Sequence, residues 1–408
     1  MTAFLIFRYI EVLLVPFAAA FVVCIWATLA AGYLARRVDA VAVPSSRSLH
    51  EGVVPRLGGL ALGLTVLVGA ALLGFWPGFE NGLWLMQPDL RLIELTVVGG
   101  GLALVMGVAD DLWDLPALVK LLGQVVIVAV TVLLLELSMR FPWSNASLQW
   151  PIGPMWAQVA AAVWIVVMIN AANFMDGVDG HLLLMAVVQA LVYLALLLSF
   201  SPAESGFYLQ MLGPFYWSFM LLLLGALCGS LASNWPRASI FMGDGGSWFI
   251  GYLMAVLPLY LVEQALVARP RGIYQVPLSM VGAFIIAAPM LYDTGLTLLR
   301  RLWARQNILQ PHRQHLYQRL VLSGMSHGGV LAVGLPLYLW CGLLGFMAMR
   351  LPLPTVQMTS AGLAFIGLLY YTLLVWSVEQ AARLTQAEGG AAGSAQQSGV
   401  GGGPAQAT

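Results

Sequence analysis

Long apolar segments alternate with short polar ones along most of the chain. A segment of about 20 consecutive apolar residues can cross a bilayer as a helix, and the chain contains eleven such segments. The third of them is interrupted by Gly99-Gly100-Gly101 and is the least regular. The pattern predicts an all-α, polytopic membrane protein with about eleven transmembrane helices, centred near residues 23, 67, 100, 128, 162, 190, 224, 255, 287, 338 and 367.

The two ends of the chain differ in character. The first apolar segment, roughly 11–35, is too long for the core of a signal peptide and has no small-residue cleavage site, which indicates a retained helix. Residues 385–408 are rich in Gly, Ala, Ser and Gln, a composition typical of disorder. The sequence therefore predicts a membrane domain over 1–384 and a disordered tail over 385–408.

Composition supports the membrane class. Of 408 residues, 60% are hydrophobic and 9% are charged, whereas soluble domains carry roughly 25% charged residues. The formal net charge is zero, so we do not expect nucleic acid as a partner. Cys24, Cys228 and Cys341 each lie inside an apolar segment, which argues against a disulfide framework and a zinc site.

The basic residues predict an orientation in the membrane. With eleven spans, the connections after spans 1, 3, 5, 7 and 9 share one side with the C-terminal tail. That side holds twelve of the 18 Lys and Arg residues, and an excess of positive charge marks the cytoplasmic side. We therefore expect the N-terminus outside the cytoplasm and the C-terminal tail inside it.

Aspartate and histidine gather on the same side. Eight of nine aspartates and all five histidines fall at or near the predicted cytoplasmic face. A purely structural membrane protein has no need for this arrangement. The asymmetry predicts a functional site at that face.

The first motif is "MGVADDLWDL", which places Asp110 and Asp111 at the inner end of the third span. Paired acids at a helix C-terminus face the negative end of its dipole, and their mutual repulsion raises one pKa. They are either solvated interfacial acids or a pair that handles phosphate, or accepts a proton, together with a cation.

The second motif is "NAANFMDGVDG", residues 170–180, between two apolar segments. Its polar residues recur at every third position, which is not a single helical stripe. They fit a helix end and the turn after it, where glycines allow a close approach of backbone to ligand. The alternative is a plain polar loop. The candidate site residues are Asn170, Asn173, Asp176, Gly177 and Asp179.

Three further stretches add groups that suit phosphate. In "FMGDGGSWFIGY", Asp244 stands between glycines just before an apolar segment. Backbone N–H groups there suit phosphate oxygens, and the carboxylate suits Mg²⁺ on a diphosphate, although a simple turn is the alternative. "PHRQHLYQRL", residues 311–320, supplies Arg313 and His315, which match phosphate oxygens or serve only as a topology signal. "PSSRSLHEGVVPRLGGL", residues 44–60, adds Arg47 and His50.

Together these motifs resemble those of the polyprenyl-phosphate N-acetylhexosamine-1-phosphate transferases, glycosyltransferase family 4. That family carries "DDxxDL", "NxxNxxDGxDGL" and "GDxGS" on cytoplasmic loops, matched here by residues 110–115, 170–180 and 243–247. The resemblance covers roughly residues 40–320. Two departures are the sequence from His312 to Gln318 in place of an HxHH-like run, and His181 where the motif usually has an apolar residue. The HRxHxYQ form resembles the branch that initiates O-antigen or related surface polysaccharides.

The resemblance implies a reaction and a set of roles. A UDP-N-acetylsugar donates its sugar-1-phosphate to a polyprenyl (undecaprenyl) phosphate, and UMP is released. Asp244 and Asn173 would bind Mg²⁺, with Mn²⁺ as an alternative. Asp110, together with Asp111, would position or deprotonate the acceptor phosphate; one-step and two-step paths both stay open. The expected substrate contacts are Lys120, Arg313 and His315 for the diphosphate, Asp179 and Gly177 for uracil, and Asn170 as support for the metal ligands.

Several points stay open in the sequence. A cation-coupled transporter is the non-enzymatic alternative, although transporters tend to place their binding groups near the membrane midplane. Within the enzymes, the alternative is a general UDP-GlcNAc:undecaprenyl-phosphate transferase. We expect residues 301–320 to select the sugar, with Arg47 and His50 as the next candidates. The oligomeric state is open, and a homodimer is one option.

Overall fold

A computed structural model describes residues 2–42, 52–74, 89–135, 154–199, 208–267, 279–308, 310, 312–351 and 353–399. Within these residues the chain forms one small sheet and twelve helices, when Leu90–Trp113 is taken as one helix. The first six helices are α1 (Thr2–Arg37), α2 (Gly58–Gly74), α3 (Leu90–Trp113), α4 (Ala117–Leu135), α5 (Pro154–Met175) and α6 (His181–Leu198). The other six are α7 (Tyr208–Asn234), α8 (Gly243–Val267), α9 (Met280–Trp303), α10 (Leu316–Leu322), α11 (His327–Arg350) and α12 (Pro354–Gly399).

Each of the eleven predicted spans corresponds to a helix. In the described part of the chain, ten helices are long and apolar enough to cross a membrane. The eleventh, α2, has 17 residues and a length of about 26 Å, somewhat less than the hydrocarbon thickness of about 30 Å. The prediction of an all-α, polytopic membrane protein is confirmed. The short helix α10 lies in a polar connection and was not predicted.

The irregular third span contains a π-helical turn at Leu95–Gly100. The hydroxyl of Tyr252, on α8, donates a hydrogen bond to the Leu95 carbonyl at 3.0 Å. A Cβ on Gly99 would lie 1.9 Å from that hydroxyl oxygen, so this position requires glycine. The glycine run therefore allows α3 to pack closely against α8.

Helix α8 forms the centre of the bundle. Residues 245–263 of its membrane segment are all buried, whereas the segments of α1 and α12 are mostly exposed. Helices α2, α3, α5, α6 and α9 contact α8. The N-terminus of α8, which carries Asp244, is thus held by neighbours on several sides.

Helix α1 packs on α7 through small residues. A Cβ on Gly225 would lie 2.2 Å from the Phe17 carbonyl oxygen, and one on Gly229 would lie 2.7 Å from the Phe21 carbonyl oxygen. Glycines four residues apart let two membrane helices approach backbone to backbone. This contact fixes α1 at the outside of the bundle.

A short antiparallel sheet, absent from the sequence prediction, follows α1. Strand β1 (Val41–Ala42) pairs with β2 (Val54–Pro55), with Val41 opposite Pro55. The N–H of Phe241 donates to the Pro55 carbonyl at 2.7 Å, and the N–H of Gly58 donates to the Phe241 carbonyl at 2.9 Å. These bonds fix the segment that leads into α8.

The C-terminal helix runs further than the predicted domain boundary at 384. Helix α12 continues to Gly399, and residues 400–408 lie outside the described residues. Ala, Gln and Glu favour helix once a preceding helix has nucleated it. The domain boundary at 384 and the disordered tail stay predictions.

Candidate active site

The predicted motif residues meet at one end of the bundle, which we call the site face. It comprises the C-terminal ends of α3, α5, α7 and α9 and the N-terminal ends of α4, α6, α8 and α11. The contacts described below connect residues far apart in the sequence across this face. The clustering predicted from the aspartates and histidines is therefore present in the fold.

Asp111 caps the N-terminus of α8. Its Oδ1 accepts a hydrogen bond from the backbone N–H of Asp244 and its Oδ2 accepts one from that of Gly245, both at 2.9 Å. A carboxylate is favoured there by the free N–H groups and by the helix dipole. The preceding residue, Gly243, has a φ of +70°, and a Cβ there would lie 2.6 Å from both Asp111 oxygens. Asp111 thus fixes the position of Asp244.

Asp110 pairs with Lys120. The Lys120 Nζ lies 2.5 Å from Asp110 Oδ2 and 3.9 Å from Asp244 Oδ2. The other oxygen of Asp110 accepts from the backbone N–H of Leu115 at 2.8 Å, which closes the tight connection between α3 and α4. Asp114, in that connection, adopts the left-handed conformation with a φ of +46°. The ammonium group of Lys120 therefore lies between the two acids.

Asn173 orients the side chain of Asp244. Its Nδ2 donates to Asp244 Oδ1 at 2.8 Å and to the Ser247 hydroxyl at 3.0 Å. The Asp244 side chain remains 35% exposed, so a ligand can reach it. The predicted neighbours Asn173 and Asp244 are thus brought into direct contact.

Around Lys120, two carboxyl groups, those of Asp110 and Asp244, share one ammonium group. The carboxyls of Asp110 and Asp244 lie within hydrogen-bonding reach of each other, and one ammonium group faces both. Among the described residues, no three carboxylate, imidazole or thiolate side chains gather closely enough to hold a metal ion. The arrangement is a solvent-reachable carboxylate with excess negative charge beside it, which a cation would offset.

Asn170 pairs with Gln124 on α4. Its Nδ2 donates to Gln124 Oε1 at 2.9 Å, and Gln124 Nε2 donates back to Asn170 Oδ1 at 3.3 Å. Gln124 lies one helical turn after Lys120. The Asn170 amide thus holds α4 in place through Gln124. Its role in supporting the metal ligands stays a prediction.

Asp176 lies in the turn between α5 and α6, and its surroundings raise its pKa. Part of its surface reaches solvent, but the protein surrounds the carboxyl on most sides. This loss of hydration raises the pKa of Asp176, and repulsion from Asp244, Asp111 and Asp179 raises it further. Its charge is therefore costly in the free protein, as expected where a cationic or hydrogen-bonding ligand binds.

The turn at 176–180 is held in place by contacts of Asp179 and Gly180. The Asp179 Oδ2 accepts from the Ala238 N–H at 3.0 Å and lies 3.1 Å from His327 Nδ1. The Gly180 N–H donates to Asn234 Oδ1 at 2.7 Å. The Asp179 carboxylate is thus already engaged, and its contact with uracil stays a prediction.

Gly177 lies on the exposed side of the same turn. Its N–H donates to the Tyr317 hydroxyl at 3.2 Å. A Cβ would lie 2.4 Å from that oxygen, so a side chain at 177 would displace Tyr317. Gly177 therefore allows α10 to approach the turn.

His315 is buried at the N-terminus of α10. It is 2% exposed, and its Nδ1 lies 3.2 Å from Asp293 Oδ1. Asp293 also accepts from the Leu316 and Tyr317 N–H groups at 2.9 and 3.4 Å. An acid inside α9 thus holds the segment that carries His315.

His312 lies beside His315, with ring centroids 5.0 Å apart. Burial lowers the pKa of His312 to about 4, and the neighbouring His315 and Arg301 contribute to the shift. The ring is therefore neutral near pH 7 and brings no positive charge to a phosphate. Arg313 follows it and is half-buried; the predicted diphosphate contacts of Arg313 and His315 stay predictions.

The remaining candidates, Arg47 and His50, lie outside the described residues. Several residues of the site face were not predicted. Asp293 carries the clearest sequence signal, because an acid inside an apolar span marks a functional or structural site. His327 belongs to the histidines predicted to gather at this face, and Ser247 and Tyr317 lie within the quoted motifs, but none of the three had been given a role. Gln124 and Asn234 gave no distinct signal before the helices were placed in three dimensions.

Comparison with known proteins places this arrangement in a family. The sequence profile described as "Glycosyl transferase family 4" matches residues 94–262. The decaprenyl-phosphate N-acetylglucosaminephosphotransferase of Mycolicibacterium smegmatis is 32% identical over 329 residues, 77% of this chain and 76% of that protein. The protein of the same name from Mycobacterium leprae is 31% identical over 353 residues, 83% of each chain. The undecaprenyl-phosphate alpha-N-acetylglucosaminyl 1-phosphate transferase of Salmonella typhi is 25% identical over 311 residues, 72% of this chain and 73% of that protein.

The region matched by the family profile contains most of the residues that form the site face. The matched profile includes Asp110, Asp111, Lys120, the stretch 170–180 and Asp244, which the fold gathers at one face. Multiple apolar helices make the chain a multi-pass membrane protein. The chain belongs to glycosyl transferase family 4, the polyprenyl-phosphate N-acetylhexosamine-1-phosphate transferases.

Proposed function

We propose that the protein transfers N-acetylglucosamine-1-phosphate from UDP-N-acetylglucosamine to a polyprenyl phosphate and releases UMP. An oxygen of the lipid phosphate attacks the sugar-bearing phosphorus of the donor. The bond from that phosphorus to the bridging oxygen breaks, and the bridging oxygen leaves with UMP. The observation that carries the proposal is Lys120, held between Asp110 and Asp244 at the capped N-terminus of α8.

Lys120 suits the contact with phosphate. Its side chain is 31% exposed and its ammonium group is aimed by Asp110, so it can meet the transferred phosphate without reorganisation. Preorganised charge of this kind is a main source of catalysis in phosphoryl transfer. Asp110 thereby acts by positioning Lys120, since an attacking phosphate is already largely anionic near pH 7.

The acids also fit a divalent cation. Asp244 is reachable and oriented, Asn173 touches it, and the neighbouring Asp110 adds negative charge. Mg²⁺ is commonly held by one or two carboxylates together with substrate phosphates. We propose Asp244 and Asn173 as its protein ligands, with Mn²⁺ as an alternative. When bound, the ion would offset the repulsion between the two phosphate groups.

The contacts of the acids favour direct transfer. Both oxygens of Asp111 accept backbone hydrogen bonds, and both oxygens of Asp110 are engaged by Leu115 and Lys120. A two-step path through an aspartyl phosphate on either residue would first have to break one of these contacts. Exchange of labelled UMP into the donor without lipid acceptor would be the sign of the two-step path.

The proposed setting is the bacterial inner membrane, with the site face in the cytoplasm, where nucleotide sugars are made. The excess of basic residues on that side supports this orientation. The names of the relatives support N-acetylglucosamine as the sugar. We further propose that the lipid-linked product initiates a surface polysaccharide such as O-antigen.

Release of UMP by the purified protein tests the proposal. Wild-type protein in detergent receives Mg²⁺, undecaprenyl phosphate and UDP-N-acetylglucosamine, and UMP is measured by chromatography. Asp244→Asn should reduce turnover by at least about a hundredfold while the protein stays folded. Asp39→Asn, a change of the same type at an exposed acid, is the matched control and should remain active.

Two results would contradict the proposal. One is near-normal turnover by Asp244→Asn at saturating Mg²⁺, which would remove Asp244 from the site. The other is the absence of UMP release by the wild type with any UDP-N-acetylsugar. Cation-dependent uptake of a solute into proteoliposomes would then support the transporter alternative.

The choice of sugar is proposed to depend on residues 301–320. This segment contains His312 and His315, which lie beside Phe174 at the end of α5. A polar pocket rejects analogues that leave its groups unpaired. Exchange of this segment with that of a relative of different donor preference should change the ratio of kcat/KM values for two UDP-sugars. An active chimera with an unchanged ratio would exclude the segment.

A further inference from the structure

His181 opens α6, where the family motif usually has an apolar residue. Only 1% of the residue is exposed. Its Nδ1 lies 2.9 Å from the Met175 carbonyl oxygen, and its Nε2 lies 2.6 Å from the Tyr338 hydroxyl. Met175 ends α5, so its carbonyl has no partner further along that helix. His181 therefore joins the end of α5 to α11 across the start of α6.

The two partners fix the tautomer of the ring. A carbonyl oxygen only accepts, so Nδ1 carries the hydrogen that is donated to Met175. The Nε2 lone pair then accepts the hydrogen bond from the Tyr338 hydroxyl. A Cβ on Gly334 would lie 2.4 Å from the Tyr338 hydroxyl oxygen, so glycine leaves the space that this hydroxyl fills. Both ring nitrogens are thus satisfied in a buried place.

The ring of His181 also stacks on Tyr317, with centroids 4.4 Å apart and planes at 26°. The Tyr317 hydroxyl donates to the Phe174 carbonyl at 2.7 Å and accepts from the Gly177 N–H at 3.2 Å. These two bonds hold the end of α5 and the first part of the turn 176–180. The face of His181 thereby keeps this hydroxyl in place.

We propose that His181 is a positioning residue for the turn 176–180, acting through Met175, Tyr338 and Tyr317. This inference rests on the proposed function, together with the prediction that Asp179 and Gly177 of that turn contact the uracil of the donor. His181 does not contact the reacting groups; Lys120 and Asp244 make their contacts with Asp110 and Asn173. Loss of His181 should therefore weaken donor binding more than it slows the chemical step.

His181→Leu is the central variant. It restores the residue type that is usual in the motif, but leaves the Met175 carbonyl and the Tyr338 hydroxyl unpaired and removes the ring beneath Tyr317. One net hydrogen bond corresponds to a factor of about 3 to 10 in a binding constant. We expect KM for UDP-N-acetylglucosamine to rise by about that factor, with kcat changed by less than about twofold. Tyr338→Phe should cause part of the increase, and the double variant should exceed His181→Leu by little.

Gln189→Leu is the matched control. Gln189 lies two turns further along α6, is equally buried, and bonds the Tyr193 hydroxyl and the Met254 carbonyl instead. It should lower thermal stability without raising KM. Hydrogen exchange followed by mass spectrometry adds a readout independent of activity: peptides covering 174–182 should exchange faster in His181→Leu and not in Gln189→Leu.

The outcomes separate the two proposals. An unchanged KM and unchanged exchange over 174–182 in His181→Leu would overturn the positioning role, as would an equal rise in KM in Gln189→Leu. If the wild type releases no UMP, the proposed function fails, and the exchange data alone then decide whether His181 holds the turn. His181→Gln, which keeps a donor and an acceptor without the ring, should recover part of the exchange protection.

Discussion

The carboxylate of Asp111 accepts a hydrogen bond from the backbone N–H of Asp244 at 2.9 Å, and so the C-terminal end of α3 caps the N-terminus of α8. The adjacent pair Asp110-Asp111 thus divides its work. One acid holds the helix that carries Asp244, and the other holds Lys120.

This division predicts different consequences for the two adjacent acids. In Asp111→Asn an amide N–H₂ group would face one of the two backbone donors, so the variant should lose about 1–2 kcal/mol of stability, as for a lost helix cap. Asp110→Asn should lose most of the activity but less stability than Asp111→Asn loses, because the main partner of Asp110 is the partly exposed Lys120. Unfolding by SDS in mixed micelles, together with UMP release, measures both effects. Equal loss of stability in the two variants would contradict the division.

Asp176→Asn should stabilise the free protein at high pH. Burial and the neighbouring acids raise the pKa of Asp176, so its ionised form costs stability above the pKa of the unfolded chain. The variant should therefore melt at a higher temperature than the wild type at pH 8 in EDTA. The difference should shrink as pH falls through the raised pKa, where the wild-type carboxyl also becomes neutral. If the gain in melting temperature is absent at pH 8, or is larger at pH 5 than at pH 8, the electrostatic account is wrong. Asp39→Asn is the control and should not show this gain.

The pair of Asn170 and Gln124 predicts non-additive effects. Asn170→Leu leaves the buried Gln124 amide unpaired and should cost about 1–3 kcal/mol. Gln124→Leu should cost a similar amount, and the double variant should cost less than the sum, because no unpaired amide remains. The same SDS titration measures all three. Simple additivity would show that the two amides act independently.

Labelling of single cysteines tests the orientation. Val178 in the turn is buried, so the exposed Ala304 at the site face is a better reporter, and the exposed Thr355 marks the opposite end. In a background without Cys24, Cys228 and Cys341, Ala304→Cys should resist an impermeant thiol reagent in intact spheroplasts and react in inverted vesicles. Thr355→Cys should show the reverse pattern. If Ala304→Cys reacts from outside, the proposed cytoplasmic site is wrong.

Much of the fold and the members of the site follow from the sequence. Eleven apolar segments predicted the spanning helices, and the alternation of sides brought Asp110, Asn173 and Asp244 to one end. The roles within the site did not follow. Asp111 acts as a helix cap only because Gly107 lets α3 approach α8, where a Cβ would lie 2.3 Å from the Asp244 carbonyl oxygen. Such a contact between distant segments has no signal in a single sequence.

The motif residues Asn170 and Asp179 show the same limit. Their spacing predicted a ligand site, yet each has a protein partner that was not predicted: Gln124 for Asn170, and His327 for Asp179. Composition likewise did not predict the pairing of β1 with β2. Local pattern thus identified the polar groups, and tertiary packing decided which of them support the site.

The burial of α8 has a consequence for the synthesis of this protein. Helices α2, α3, α5 and α6, which contact α8, precede it in the chain and enter the membrane first. Since residues 245–263 of α8 are all buried in the finished fold, the surfaces of the earlier helices that contact α8 have no partner from it before it arrives. The final packing of α2, α3, α5 and α6 therefore has to wait until α8 has entered the membrane.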